Sequence, residues 1–172
     1  MYHIERAIFD IRRGLPVVIN SGEQRLLVQA LEGSRSVDAL ARLSGARPTL
    51  VLTRHRLEAM GMSLTAEAAC LPLPEHVSEH ELNQLAVANA ATKPSALLSG
   101  LKPAGAAERS AVALMRRALL IPAALTAVVS ERAQEEVAEQ IAQGRLLEVK
   151  AEEALACLAG APGMLKRVSE AN

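Results

Sequence analysis

Apolar residues recur along this chain at two different periods, with glycine or proline at most of the changes between them. Ile4, Ala7, Ile8 and Ile11 fall on one helical face, and Gly14 follows as a stop. Unbroken apolar runs over 15–19 and 26–31 predict two buried strands. Ser36 is placed to cap a helix reaching Leu43, closed by Gly45. Pro48 opens a strand over 49–52, and Thr53 caps a short helix through Met60 that Gly61 stops. A strand over 66–71 closes at Pro72 and Pro74. Ser78 and Glu81 have capping-box spacing, which starts a helix running towards Ala90. The stretch 92–105 carries Pro94, Gly100, Pro103 and Gly105 and is expected to be the loosest part of the domain. A helix over 106–119, a strand over 123–129 and a helix over 131–142, ended by Gly144, come next. A strand over 146–149 and a helix over 151–158 finish the pattern. The alternation predicts an α/β (α+β layered) domain of two or three layers.

Length and composition narrow the reading. The chain has 172 residues, enough for one domain with a real core. Half are hydrophobic and 22% are charged, which is globular composition. Tyr2 and Phe9 are the only aromatic residues, so Leu, Val, Ile, Ala and Met must fill the core. Bases would have no set of rings to stack on. Nineteen basic residues balance nineteen acidic ones, so no net field favours nucleic acid or an anionic membrane. Cys70 and Cys157 sit far apart in apolar segments and read as reduced, buried thiols of a cytoplasmic protein. Charged residues such as Glu5, Asp10 and Arg12 break any signal-like run at the start. The longest charge-free apolar stretch, 118–130, contains Pro122 and is too short to span a bilayer.

Few motifs carry chemistry. Arg54, His55 and Arg56 cluster at a helix start, where a phosphate would meet exposed amides. His76-Val77-Ser78-Glu79-His80 matches an H-x-x-E-H pattern, but Ser78 caps the helix and leaves His76 outside it. Arg116-Arg117 is expected to snorkel along its helix, and Arg12-Arg13 to answer a helix dipole.

Several segments together resemble one family. Arg13-Gly14-Leu15-Pro16-Val17-Val18-Ile19 resembles the first helix-to-strand turn of 3,4-dihydroxy-2-butanone 4-phosphate synthases. Val51-Leu52-Thr53-Arg54, followed by Leu57, Met60 and Gly61, is similar to that family's strand, threonine turn and short helix. Ala113-Leu114-Met115 with Ile121-Pro122-Ala123-Ala124-Leu125 resembles its long helix and following strand. Leu146-Leu147-Glu148-Val149 with Glu152-Glu153-Ala154-Leu155 resembles its closing strand and helix. In order and spacing these segments cover most of positions 4–158. The resemblance implies the synthase fold and a homodimer with active sites at a two-fold interface. In a working member it also implies release of formate from ribulose 5-phosphate, using Mg²⁺, an acidic loop and a histidine–acid pair.

The chain departs from that pattern at both chemical elements. Between residues 20 and 24 only Glu23 is acidic, where the family has a dense acidic loop. The stretch 103–110, where the family has its metal-binding histidine, contains none; Glu108 is its only acid. Mg²⁺ needs several oxygen ligands, and proton abstraction beside a carbonyl needs a positioned base. Glu23 and Glu108 are therefore vestigial candidates, with Arg25 and Arg54 as candidate phosphate ligands and no metal expected in this domain. Lys166-Arg167-Val168-Ser169-Glu170-Ala171 resembles the linker joining degenerate synthase-like domains to GTP cyclohydrolase II in alphaproteobacteria. This implies a synthase-like domain over 1–160 and a linker over 161–172. Zn²⁺ is expected only in the cyclohydrolase domain, since Cys70 and Cys157 lack zinc-ligand spacing. The expected role is non-catalytic: structural, dimerising or regulatory. Two alternatives are a residual Mg²⁺-dependent synthase and a stand-alone ligand-binding regulatory protein.

Overall fold

Strands that bury side chains on both faces need helices on both sides of their sheet. The computed structural model describes residues 2–31, 37–61, 63, 65–73, 100–120 and 123–156, and has that arrangement. Its elements are α1 (Tyr2–Arg12), β1 (Val17–Asn20), β2 (Arg25–Ala30), α2 (Val37–Ser44), β3 (Thr49–Thr53), α3 (Arg54–Ala59), β4 (Ala68–Pro72) and β5 (Lys102–Pro103). They continue with α4 (Ala106–Arg117), β6 (Ala123–Val128), a 3₁₀ turn (Glu131–Ala133), α5 (Gln134–Ala142) and β7 (Glu148–Lys150), and residues 151–156 are helical. The seven strands lie in the order β5-β4-β3-β6-β2-β1-β7. All neighbours are antiparallel except β1 and β7, which are parallel.

Strand alternation sorts the core into two halves. Leu26, Val28 and Ala30 of β2 join Ile4, Ala7 and Ile11 of α1 and Leu114 and Met115 of α4 on one face. Leu27 points the other way, with Leu50 and Leu52 of β3, Leu40 of α2, Leu57 of α3 and Val137 of α5. The result is three layers.

Local signals placed most elements within two residues of expectation, and the differences have local causes. The first strand starts at Val17 rather than Leu15 because Leu15 still belongs to the end of α1. Its N–H bonds to the Asp10 carbonyl at 2.9 Å, while Gly14, at φ +79°, bonds to the Ile11 carbonyl at 3.0 Å. The last strand likewise starts at Glu148, because the Leu146 N–H is held by the Gln140 carbonyl. Helix α4 ends at Arg117, and its first successor helix opens with a 3₁₀ turn.

One strand was not foreseen. Lys102–Pro103 pairs with Ala69 and Cys70 inside the segment expected to be loop. Proline lacks the N–H a central strand needs, but β5 is the outermost strand of the sheet, where it is tolerated. Cys70 is half-buried rather than fully buried, and its thiol is free. The expected helix over 78–90, the H-x-x-E-H segment, Ser36, residues 92–99, Cys157 and the expected linker lie outside the described residues. No helix among the described residues is long and apolar enough to cross a membrane.

Candidate functional site

Strand register decides which candidate residues can meet. Asn20 pairs with Arg25, and Leu26 with Val128, so the β1–β2 turn lies at the sheet end where β6 finishes. Thr53 pairs with Ala68, and Leu52 with Ala123, so α3 begins at the opposite end. Helix α4 starts at that second end too, because the Ala104 N–H bonds to the Ala68 carbonyl at 3.0 Å. Glu23 therefore sits at one end of the sheet and Glu108 at the other. Five residues along β2 and three strand spacings across the sheet put the two sites on the order of 20 Å apart.

At the first end the polar groups satisfy one another. The Asn20 side-chain oxygen accepts the Gly22 N–H at 2.8 Å, and the Ser21 N–H bonds to the Gln24 carbonyl at 3.1 Å. Gly22, at φ +92°, supplies the left-handed residue this tight turn requires. Glu23 projects exposed from its tip. Arg25 is paired within the fold: its Nε donates to Glu148 Oε2 at 2.7 Å, and Asn20 Nδ2 donates to the same oxygen at 3.2 Å. Packing of β7 beside β1 creates this ion pair, which spans 123 positions of sequence.

At the second end is a cleft of about 520 Å³ between α3, β4, α4 and residue 155. Thr53 builds one wall. Its hydroxyl accepts the Arg56 N–H at 3.1 Å, so α3 starts at once and Arg54 and His55 face the cleft. Arg54 donates to the Thr65 carbonyl at 3.3 Å and lies 3.8 Å from Glu58, a loose and exposed pair. Arg56, the third member of the basic cluster, does not line the cleft, and burial lowers its guanidinium pKa from the ordinary value. The opposite wall is one stripe of α4: Arg109, Val112, Ala113 and Arg116 recur at helical spacing. The floor is closed by buried Thr53, Ala68, Val112 and Ala113.

Arg54 and His55 are thus the members of the sequence-predicted basic cluster that line this cleft. Arg109 and Arg116 were missed as site residues. The 109/112/113/116 stripe was present in the sequence, but nothing local says which helix face meets α3. Arg116 and Arg117 are exposed, as expected. Arg12 makes a more specific contact than a dipole, with its Nε donating to the Ala118 carbonyl at 2.9 Å.

Glu108 has a local task. Its Oε2 accepts the Gly105 N–H at 3.1 Å, satisfying a free amide at the start of α4. Nearby, burial first and the Glu108 charge second push the Cys70 thiol up to about 12. That keeps it neutral and unreactive at ordinary pH. Among the described residues, no group of three or more His, Cys, Asp or Glu side chains could hold a metal ion. The residues present do not fit a Mg²⁺ centre built on Glu23 and Glu108 within one chain, since octahedral Mg²⁺ needs oxygens at about 2.1 Å.

Comparison with known proteins agrees with this architecture. No protein-family model matches the chain. It is 31% identical over 189 aligned residues to a GTP cyclohydrolase-2 from Azospirillum brasilense, covering 99% of the chain. The chain spans about half, 46%, of the length of that curated relative. A two-domain 3,4-dihydroxy-2-butanone 4-phosphate synthase from A. baumannii superposes with a TM-score of 0.63 at 16% identity, covering 86% of this chain and 55% of that one. A synthase from Candida albicans gives 0.59 at 14% identity, covering 89% of this chain and 95% of that one. A synthase solved in complex with two magnesium ions gives 0.60 at 19% identity, covering 93% and 98%. Fold and sequence comparison together show a chain with the 3,4-dihydroxy-2-butanone 4-phosphate synthase fold that is similar in sequence to part of a GTP cyclohydrolase-2.

Proposed function

We propose that this domain does not catalyse the synthase reaction and serves as the non-catalytic partner of a GTP cyclohydrolase II domain in riboflavin biosynthesis. The observation that carries this reading is the sparse donor set: Glu23 is the only acid of the 20–24 turn and Glu108 the only acid of 103–110, too few oxygens for Mg²⁺. Each acid is also locally accounted for: Glu23 is solvated, and Glu108 caps its own helix. Arg25, a candidate phosphate ligand, is paired with Glu148. A residual synthase would have to assemble its metal site across two copies of the chain.

The same reading includes a homodimer in the cytoplasm, with residues 161–172 leading towards the cyclohydrolase domain. The partial coverage of the cyclohydrolase relative supports the covalent link. Exposed Phe9, Leu15 and Leu119 offer apolar area for self-association. Zn²⁺ belongs to the cyclohydrolase domain in this scheme.

Incubation of the chain with ribulose 5-phosphate and Mg²⁺, followed by a formate assay, tests the proposal. Formate release at the uncatalysed rate is expected. Enzymatic release that falls in Glu23→Gln or Glu108→Gln would overturn it and establish the residual synthase.

A further inference from the structure

We infer that the outer face of α1 docks a second copy of this chain across a two-fold axis at Phe9, with Glu5 of each copy meeting Arg13 of the other. The inference rests on the self-association proposed above and gives it a surface. Tyr2 and Phe9 are the only aromatic residues of the chain, and both belong to α1. Ile4, Ala7 and Ile11 of that helix turn inward, while Phe9 is 59% exposed. Among the described residues, no aromatic side chain enters the core. A phenylalanine held in water adds nothing to the domain's own packing. Its burial against a partner is favourable, and aromatic anchors of this kind dominate interface energetics.

The charges beside Phe9 make the face complementary to itself. Glu5 and Arg13 stand four residues before it and four after it, so the three form one ridge. Arg13 continues the helical pattern, with its N–H bonded to the Phe9 carbonyl at 3.2 Å. Its guanidinium lies 5.4 Å from the centre of the Phe9 ring. Glu5 and Arg13 are both exposed, and neither has an ion pair among the described residues. They cannot pair with each other, because eight residues of helix hold them about 12 Å apart. Turning the ridge end for end about Phe9 sets Glu5 opposite Arg13 twice, with Phe9 against Phe9 between them. Helices commonly pack with ridges of this spacing aligned. The other arginines of α1 are held within their own chain. Arg6 donates to the Gly144 carbonyl at 3.2 Å, and Arg12 to the Ala118 carbonyl at 2.9 Å.

A copy of the same face suits this ridge better than a partner surface of one sign, which would set a like charge against either Glu5 or Arg13. The contact is not the active-site interface that the synthase resemblance implies, since no residue of α1 lines the α3–α4 cleft. One 11-residue helix presents less than the ~800 Å² per partner of a standard interface, so association is expected to be weak and concentration-dependent.

Sedimentation velocity over a concentration series, with thermal melting by circular dichroism to verify folding, is the test. The parent chain is expected to associate reversibly. Phe9→Glu should weaken association by at least about tenfold. Glu5→Arg and Arg13→Glu should each weaken it by about tenfold, because each sets like charges face to face twice. The double variant E5R/R13E restores complementarity and should return to within about threefold of the parent. In the parent chain, concentration-dependent amide shifts should gather at residues 5–13. Undiminished association of Phe9→Glu, no recovery in E5R/R13E, or shifts elsewhere would overturn this surface and leave a homodimer standing. A parent chain that stays monomeric at every concentration would overturn the homodimer as well.

Discussion

The two ends of the sheet handle charge in opposite ways. At the β1–β2 end, one Glu148 oxygen takes both Arg25 and Asn20, at 2.7 and 3.2 Å. At the α3–α4 end, Arg54 stands 3.8 Å from its carboxylate, and Arg109 and Arg116 pair with no carboxylate among the described residues. Charge that is locally closed holds structure together. Charge that is left open above a buried floor is available to a ligand. The two ends of one sheet therefore differ in how far their charges are paired among the described residues.

Substitutions can break this contrast, beginning with the largest effect. Both ends depend on the central strands, and Leu52 of β3 is fully buried. Leu52→Ala should cost about 2–5 kcal/mol in denaturant unfolding and weaken both ends together. Glu148→Gln should cost about 1 kcal/mol in denaturant unfolding, because the pair is only partly shielded. Leu119→Gly should stabilise the domain by about 1 kcal/mol. Leu119 sits at φ +61° and is 84% exposed, yet occupies the position glycine fills after α1. Its N–H and that of Leu120 make the same closing bonds, to Arg116 and Met115 at 3.0 Å each. R109Q/R116Q should change stability by less than about 0.5 kcal/mol in denaturant unfolding, since neither side chain is buried.

Cysteine chemistry sharpens the same picture near the cleft. The Cys70 thiol is raised to about 12, so its reactive thiolate is scarce at neutral pH. Alkylation by iodoacetamide should be slow at pH 8 and still be accelerating at pH 11. A plateau near pH 9 would show an unperturbed thiol.

What was legible in the sequence was local. Gly14, Gly45, Gly61 and Gly144 all adopt positive φ where the pattern placed helix ends, because the left-handed requirement acts within a few residues. Thr53 capped its helix for the same reason. The acid-poor turn at 20–24 was equally plain. What was not legible depended on topology. Pro103 read as loop because nothing local marks it as an edge position. Glu148 could not be matched to Arg25 across 123 residues without knowing that β7 lies beside β1. The stripe of Arg109 and Arg116 was visible as a helical face, but only the packed sheet shows that it confronts Arg54.

Paramagnetic relaxation by Mn²⁺, a stand-in for Mg²⁺, tests most directly whether Glu23 and Glu108 have parted. Titrated into the ¹⁵N-labelled chain with ribulose 5-phosphate present, the ion should broaden no common set of signals around both residues. Saturable broadening of the 20–24 turn and the start of α4 at the same metal concentration, removed by either Glu23→Gln or Glu108→Gln, would show that one ion joins them and contradict the account.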